Sequence, residues 1–274
     1  MPKTKKKKSG QPITKRERLP GDIQRGPILI RKFHTLQTAI SRAVTTGDAA
    51  EQAQLEDQLQ DLGGLEMYQK ASIRGQDKRR GGDSSKTLVE WLKSPDLDFQ
   101  WPADKARVLE IGSLSTDNYI SRFAKLDVSR IDLNSQEPAI LQQNFLDRPD
   151  PESKVQQFEG ISCSLVLNFV PLMQRSDFLV HLTKFLPVSD RNVTRWLFFV
   201  MPAPCINNSR YMDKALLLRI LQTLGFEKVK EKITDRIAYW LFKRVAELTP
   251  GQIYKKAELQ GGKTRNNFFI PLKT

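Results

Sequence analysis

VKEKITDRIAYWLFKRV, residues 229–245, carries two strand-like runs, 229–233 and 237–245, with only a few residues between them. A connection that short pairs them antiparallel, because parallel neighbours need a crossover of a dozen residues or more. Upstream the pattern is different. A helical stretch at 212–224 ends at Gly225, and WLFFVM (196–201) and ISCSLVLNF (161–169) are apolar runs suited to buried parallel strands. Helical spacing at 178–186 separates those two runs. Further back, RVLEI (107–111) stops at Gly112, residues 118–123 look helical, and 127–133 reads as another strand. Strands alternating with helices, closed by a hairpin, predict a doubly wound α/β sheet that is parallel apart from its last pair.

Ahead of this sheet the chain is helical and polar. Phe33, Leu36, Ile40 and Val44 recur at three- and four-residue steps, and Gly47 with Asp48 interrupts them. Ala53, Leu55, Leu59 and Leu62 carry a second helix to Gly63 and Gly64, which makes a small N-terminal helical unit. Residues 65–86 (LEMYQKASIRGQDKRRGGDSSK) are too rich in hydrogen-bonding groups for a core; Ser84 or Ser85 is expected to cap a short helix at 88–92. The predicted division is a basic disordered tail (1–27), a helical region with a polar lid loop (28–95), the sheet domain (96–246) and a basic C-terminal tail (247–274).

The net charge of +13 sits in those ends. Residues 1–18 hold eight Lys and Arg against Glu17, and residues 248–274 hold five against Glu258, so the body between is nearly neutral. Basic ends on a neutral domain fit attraction to a polyanion or a nuclear address. No apolar run opens the chain and none approaches membrane-spanning length, so neither a secretory leader nor a membrane partner is expected. Cys163 and Cys205 are the only cysteines and make neither a disulfide framework nor a zinc site. With two histidines, both expected to be structural, no metal site and no Ser-His-Asp arrangement is expected.

In a doubly wound sheet ligands bind at the carboxyl ends of the strands. Glu110, Gly112 and Ser113 follow the first strand, and Asp132 ends the second, twenty residues beyond Gly112. A carboxylate so placed can accept both hydroxyls of a ribose. The GxGxxG fingerprint is missing, which disfavours a pyrophosphate cradle and a nicotinamide-dependent oxidoreductase. After the third position, Asn144 could bond an adenine edge while Phe145 packs on its face, or both could belong to a surface loop. After the fourth, Asn168 and Phe169 precede Val170 and Pro171. An Asn followed three residues later by Pro after a buried strand resembles the active-site loops of amino-methylating enzymes, which implies that Asn168 or a backbone carbonyl holds an exocyclic amine while Phe169 stacks on the base, unless that ring is simply core. Arg210 and Tyr211, in the loop after the fifth strand, could clamp RNA through phosphate and base, or merely connect two elements.

Six blocks in order, GGLEMYQKASIRGQ (63–76), RRGGDSSKTLVEWL (79–92), VLEIGSLSTDN (108–118), RIDLNS (130–135), SLVLNFVP (164–171) and NNSRYM (207–212), resemble the fungal 25S ribosomal RNA adenine-N1 methyltransferase family. The resemblance spans about residues 25–246. It implies a Rossmann-like class I methyltransferase sheet, S-adenosylmethionine as cofactor, and methylation of N1 of an adenine in large-subunit rRNA. S-adenosylmethionine carries no phosphate, in agreement with the missing glycines. By the same resemblance, Gly112 and Asp132 match the family's cofactor-binding residues. Tyr68, Gln69, Ser72 and Gln76 match a polar block lying over the cofactor, and Asn168, Phe169 and Pro171 match the active-site loop. Asn144 stands where an Asp is more usual. The resemblance further implies a nuclear, nucleolar protein acting on 25S rRNA or pre-ribosomal particles, with a monomer expected. Metazoan relatives known as S-adenosylmethionine sensors supply the alternative, a non-catalytic binding module.

Overall fold

The computed structural model describes residues 32–33, 35–36, 39–40, 43–44, 46–63, 83–135 and 137–274. The tail 1–27, His34, and the lid residues Tyr68, Gln69, Ser72 and Gln76 lie outside the described residues. Seven strands form the main sheet: β1 (Ala106–Ile111), β2 (Leu126–Asp132), β3 (Leu141–Gln142), β4 (Gly160–Ser164), β5 (Trp196–Pro202), β6 (Phe226–Ile233) and β7 (Ile237–Arg244). Their order is β3-β2-β1-β4-β5-β7-β6. β1 to β5 run parallel, and β7 lies antiparallel between β5 and β6. Chain order reverses between β1 and β4, which opens a crevice at their carboxyl ends.

Helices among the described residues include α1 (Ala49–Asp61), α2 (Ser85–Leu92), α3 (Arg175–Phe185), α4 (Pro204–Asn207) and α5 (Lys214–Thr223). Side chains alternate across a strand, and β5 shows the consequence residue by residue. Leu197, Phe199 and Met201 join the core built with α3 and α5, while Trp196, Phe198 and Val200 join a second core with Leu88 and Leu92 of α2. Both faces of β5 are covered, so its run reads as continuously apolar; each buried Phe contributes roughly 1.5–3 kcal/mol. Gly160 lets β4 pass under Trp196, since a Cβ there would stand 2.2 Å from the indole. Helical residues between 32 and 46 bury Phe33, Leu36 and Ala43, whereas α1 buries none of its side chains. Among the described residues no helix is long and apolar enough to cross a membrane.

Several expectations change. The run 161–169 is a strand only as far as Ser164, because Leu165 takes a left-handed backbone with φ +59°. Leu167 is apolar because the loop beyond is itself buried, not because the strand continues. Residues 118–123 form a short 3-10 turn (Tyr119–Arg122) rather than an α-helix. β6 starts earlier, at Phe226, and bulges between Lys228 and Lys230. Asp83, not Ser84 or Ser85, caps α2: its Oδ1 accepts from the Ser85 amide at 2.8 Å, and Ser84 makes no cap bond.

The largest correction concerns 247–274, which is not a free tail. β8 (Ile253–Tyr254) pairs antiparallel with β9 (Leu272–Lys273), and Phe268, Phe269, Ile270 and Leu272 are buried in the main core. Those four apolar side chains outweigh the local excess of charge and dock the segment on the domain.

Candidate functional site

The tip of β1 turns at Gly112, whose φ of +75° suits a residue without Cβ. The amides of Gly112 and Ser113 both donate to the carbonyl of Ile131 on β2, at 2.9 and 3.2 Å. A Cβ on Gly112 would stand 2.5 Å from Cγ2 of Val166, so the β1 turn and the loop after β4 touch across the crevice. Below the turn lies Glu110. It accepts from Ser113 Oγ (2.9 Å) and Asn118 Nδ2 (2.8 Å), with Arg130 Nε 3.3 Å away in an ion-pair contact that lacks hydrogen-bond alignment. Burial pushes the Glu110 carboxyl above the usual range, against the pull of Asn118, Ser113 and Arg130. Its partners make it a brace for the turn.

Asp132 closes β2 and is nearly buried. Its Oδ1 accepts from the Asn134 amide at 2.9 Å, and its carbonyl accepts from Gln143. These bonds hold the carboxylate in place at a strand tip next to Gly112.

The third position departs from the expectation. Asn144 caps a 3-10 turn (Phe145–Asp147), accepting from the Leu146 amide at 3.2 Å and donating to Asp147 at 3.0 Å. Phe145 points into the core, with its ring 5.0 Å from Phe178 and 4.9 Å from His181. Apolar packing against α3 claims the ring, so it offers no face to a ligand. His181 is structural, its Nε2 3.0 Å from the Arg148 carbonyl.

After β4 the chain leaves the sheet at Leu165. A non-glycine residue in the left-handed region is strained by about 1–2 kcal/mol and is a mark of functional loops. Val166 to Phe169 then closes as a turn, with the Phe169 amide donating to the Val166 carbonyl at 2.8 Å. Oδ1 of Asn168 is buried without a hydrogen-bond partner among the described residues. An orphaned acceptor of this kind costs about 1–3 kcal/mol and calls for a donor. Phe169 is half-buried. Pro171 starts the short turn Leu172–Gln174.

Arg210 and Tyr211 are engaged elsewhere. The Arg210 guanidinium donates to the Gly262 carbonyl (2.9 Å) and to Asn267 Oδ1 (2.7 Å). Lys256 Nζ lies 4.2 Å from the Tyr211 ring centre. Both residues hold the C-terminal segment, which local reading treated as a tail and therefore left out as a partner.

Two features escaped the sequence. Residues 83–85 clamp the site from the N-terminal side. Asp83 Oδ2 accepts from the Tyr119 amide (2.5 Å), Ser85 Oγ from the Ile120 amide (3.0 Å), and Ser84 Oγ lies 2.7 Å from Ser164 Oγ at the end of β4. An Asp followed by two small hydroxyls was the available signal, and it reads equally as a cap. Arg175, the first residue of α3, donates to the carbonyls of Val170 (2.9 Å) and Phe269 (2.6 Å) and lies 4.4 Å from the Phe268 ring centre. Burial pulls its pKa down to about 10. It ties the 168–171 loop to the C-terminal segment.

Gly112, Ser113, Asp132 and Asn168 thus gather at neighbouring strand tips, whereas Phe145, Arg210 and Tyr211 do not serve that crevice. Two surface hollows of about 290 and 310 Å³ lie apart from it, one beside α3 and one around Arg107 and Glu159. Among the described residues no three His, Cys, Asp or Glu side chains gather as a metal site.

Comparison with known proteins agrees in sequence far more closely than in structure. Residues 53–270 match the family described as 25S rRNA (adenine(2142)-N(1))-methyltransferase, Bmt2. The chain is 41% identical over 251 residues to a 25S rRNA adenine-N(1) methyltransferase of Schizosaccharomyces pombe, covering 90% of this chain and 91% of that one. It is 38% identical over 248 residues to a 25S rRNA (adenine(2142)-N(1))-methyltransferase of Saccharomyces cerevisiae, covering 88% and 71%. Among solved structures, an rRNA methylase from Escherichia coli overlaps with a TM-score of 0.39 at 13% identity, covering 80% of this chain and 76% of that one. A SAM-dependent methyltransferase from Archaeoglobus fulgidus overlaps with a TM-score of 0.40 at 10% identity, covering 58% and 92%. At such overlaps the strand order itself, not the superposition, identifies the fold.

Proposed function

The chain belongs to the 25S rRNA adenine-N(1) methyltransferase family, and from that premise we propose how its strand tips perform the reaction. The protein is an S-adenosylmethionine-dependent methyltransferase that modifies N1 of an adenine in 25S rRNA. The sensor alternative finds no support in these two relatives, both of which are named as enzymes.

The residues present fit the methyl donor. Gly112 provides a turn with no side chain, and Asp132 holds a carboxylate at the next strand tip for the ribose hydroxyls. Glu110 and Ser113 brace that turn rather than touch the ligand. When bound, S-adenosylmethionine supplies a methyl group already activated by a positively charged sulfur. The adenine N1 lone pair lies in the ring plane and has no proton to lose, so the chain needs no general base. Its task is alignment and exclusion of water, which alone can supply several kcal/mol of rate enhancement.

The observation that carries the substrate side is the orphaned Asn168 Oδ1. We assign it the exocyclic amine of the target adenine, with the half-buried Phe169 against the base and Pro171 setting the end of the loop. As N1 takes up the methyl group, positive charge arises on the base, and an amide oxygen accepting from that amine is strengthened at that moment. Such an interaction lowers the barrier because it is stronger in the transition state than before it. The base reaches this loop only after leaving its stack.

Incubation with labelled S-adenosylmethionine and unmodified 25S rRNA, followed by nucleoside mapping, tests the proposal. Label in N1-methyladenosine is expected, and label elsewhere or none overturns it. We further propose that the protein is a monomer and that it works on pre-ribosomal particles in the nucleolus, the second part supported by the eight Lys and Arg of residues 1–18. Sedimentation of the purified chain and imaging of a tagged copy check it.

A further inference from the structure

The C-terminal segment carries three exposed lysines where it packs on the Arg210–Tyr211 stretch. Leu259 and Gln260 donate their amides to the Arg210 carbonyl at 2.7 and 3.2 Å, and the Arg210 side chain grips Gly262 and Asn267. Residues 261–265 form a turn, with Arg265 Nε donating to the Gly261 carbonyl at 2.9 Å, so Lys263 is carried beside Arg210. Lys256 stacks on Tyr211, with Lys255 next to it in sequence. Lys255, Lys256 and Lys263 are exposed, and Glu258 is the acidic residue within 248–274.

This cluster is fastened to the rim of the crevice. Asn266 donates to Pro204 (2.7 Å) and to the Asn208 carbonyl (2.9 Å), and Ser209 donates to the Phe268 carbonyl (2.6 Å), all in the loop after β5. At the next residue, Arg175 links Phe269 to Val170 in the loop that carries Asn168. The same short segment therefore displays the cations and adjoins both the loop after β5 and the loop that carries Asn168.

We infer that Lys255, Lys256 and Lys263 form a docking surface for the phosphates of the RNA strand that delivers the target base. The inference rests on the adenine reading above and adds where the strand lies. A base drawn out of its stack leaves its flanking phosphates at the mouth of the pocket, where fixed cations gain from releasing counterions. Holding those cations on a folded rim, rather than on a free tail, sets the register of the strand against Asn168.

The test uses the full chain carrying Lys255→Gln, Lys256→Gln and Lys263→Gln, with a large-subunit rRNA fragment as probe. Each lost phosphate contact lowers the slope of log affinity against log salt by about 0.7 on single-stranded RNA, so a fall of about 2 is expected. RNA affinity at 150 mM salt should drop at least about 10-fold, with S-adenosylmethionine affinity and melting temperature unchanged. A second variant, Lys255→Gln with Lys263→Gln, leaves the stack of Lys256 on Tyr211 in place and should lose about two-thirds as much slope. A control, Lys125→Gln with Lys154→Gln, removes charge beside the amino ends of β2 and β1 and should change nothing. An unaltered slope in the triple variant, with methylation of 25S rRNA intact, overturns the surface and spares the adenine reading. Loss of slope in the triple variant, when the unsubstituted chain itself methylates no adenine, keeps the surface and removes that reading.

Discussion

Replacing Gly112 by alanine probes the contact on which the crevice depends. The new Cβ is opposed twice. Its backbone would have to hold φ +75°, which costs an L-residue about 1–2 kcal/mol. It would also stand 2.5 Å from Val166 Cγ2, and forced overlap of this kind costs about 1–3 kcal/mol. Val166 has only χ1 with which to turn away, and it packs against the main core. The summed loss of roughly 2–5 kcal/mol lowers the melting temperature by about 7–14 °C at its middle, taking 2–4 °C per kcal/mol for a domain of this size. S-adenosylmethionine affinity should fall with it, because the turn that approaches the ligand is displaced. The decisive assay is a double-mutant cycle with Val166→Ala, read by denaturant unfolding and calorimetry. Removing the valine methyls relieves the overlap but not the backbone strain, so a favourable coupling of about 1–3 kcal/mol is expected. Additivity within about 0.5 kcal/mol would show that the two loops do not meet, and the crevice described here would be wrong.

Asp132→Ala should weaken S-adenosylmethionine binding about 10- to 100-fold, as expected for hydrogen bonds to a charged group; calorimetry showing unchanged affinity removes the ribose assignment. Asn168→Ala should cut kcat by about 10- to 100-fold with cofactor affinity retained. It should also hold or raise the melting temperature, since an orphaned buried acceptor disappears; equal losses of both binding and turnover would count against a substrate-side role. Burial pushes the Cys163 and Cys205 thiols up to about 12, so both should resist iodoacetamide at pH 8 until the protein unfolds. The folded chain keeps these protons over a range where the unfolded chain, near 9, releases them, so their contribution to stability is present below pH 9 and lost as pH rises toward 12. A pH-independent melting temperature across that window opposes the assignment. Deleting residues 1–18 should lower RNA affinity chiefly at low salt, reducing the salt slope by up to about 5 for the net seven charges removed. An unchanged slope would leave that stretch as an address only.

Local pattern was enough for the framework. Apolar runs such as WLFFVM and the close spacing of 229–233 and 237–245 state the strands, and connection length dictates which pair is antiparallel. Gly112 and Asp132 were legible for the same reason: each follows a strand directly, and a strand's end is written within a few residues of itself. What escaped involves partners far apart in the chain. Leu165 reads as strand until the sheet shows it in the left-handed region. Phe145 looks like a ligand-facing ring until α3 closes over it. Arg175 meets Phe269 across 94 positions and Ser84 meets Ser164 across 80. No window of ten or twenty residues contains both members of such a pair. Periodicity and turn chemistry are properties of neighbours, so the sequence by itself determines the order of elements and the strand-tip pair. Packing and buried hydrogen bonding are properties of distant segments brought together. Only the tertiary structure could therefore decide that a basic tail is a docked rim, and that an asparagine beside it is left waiting for a donor.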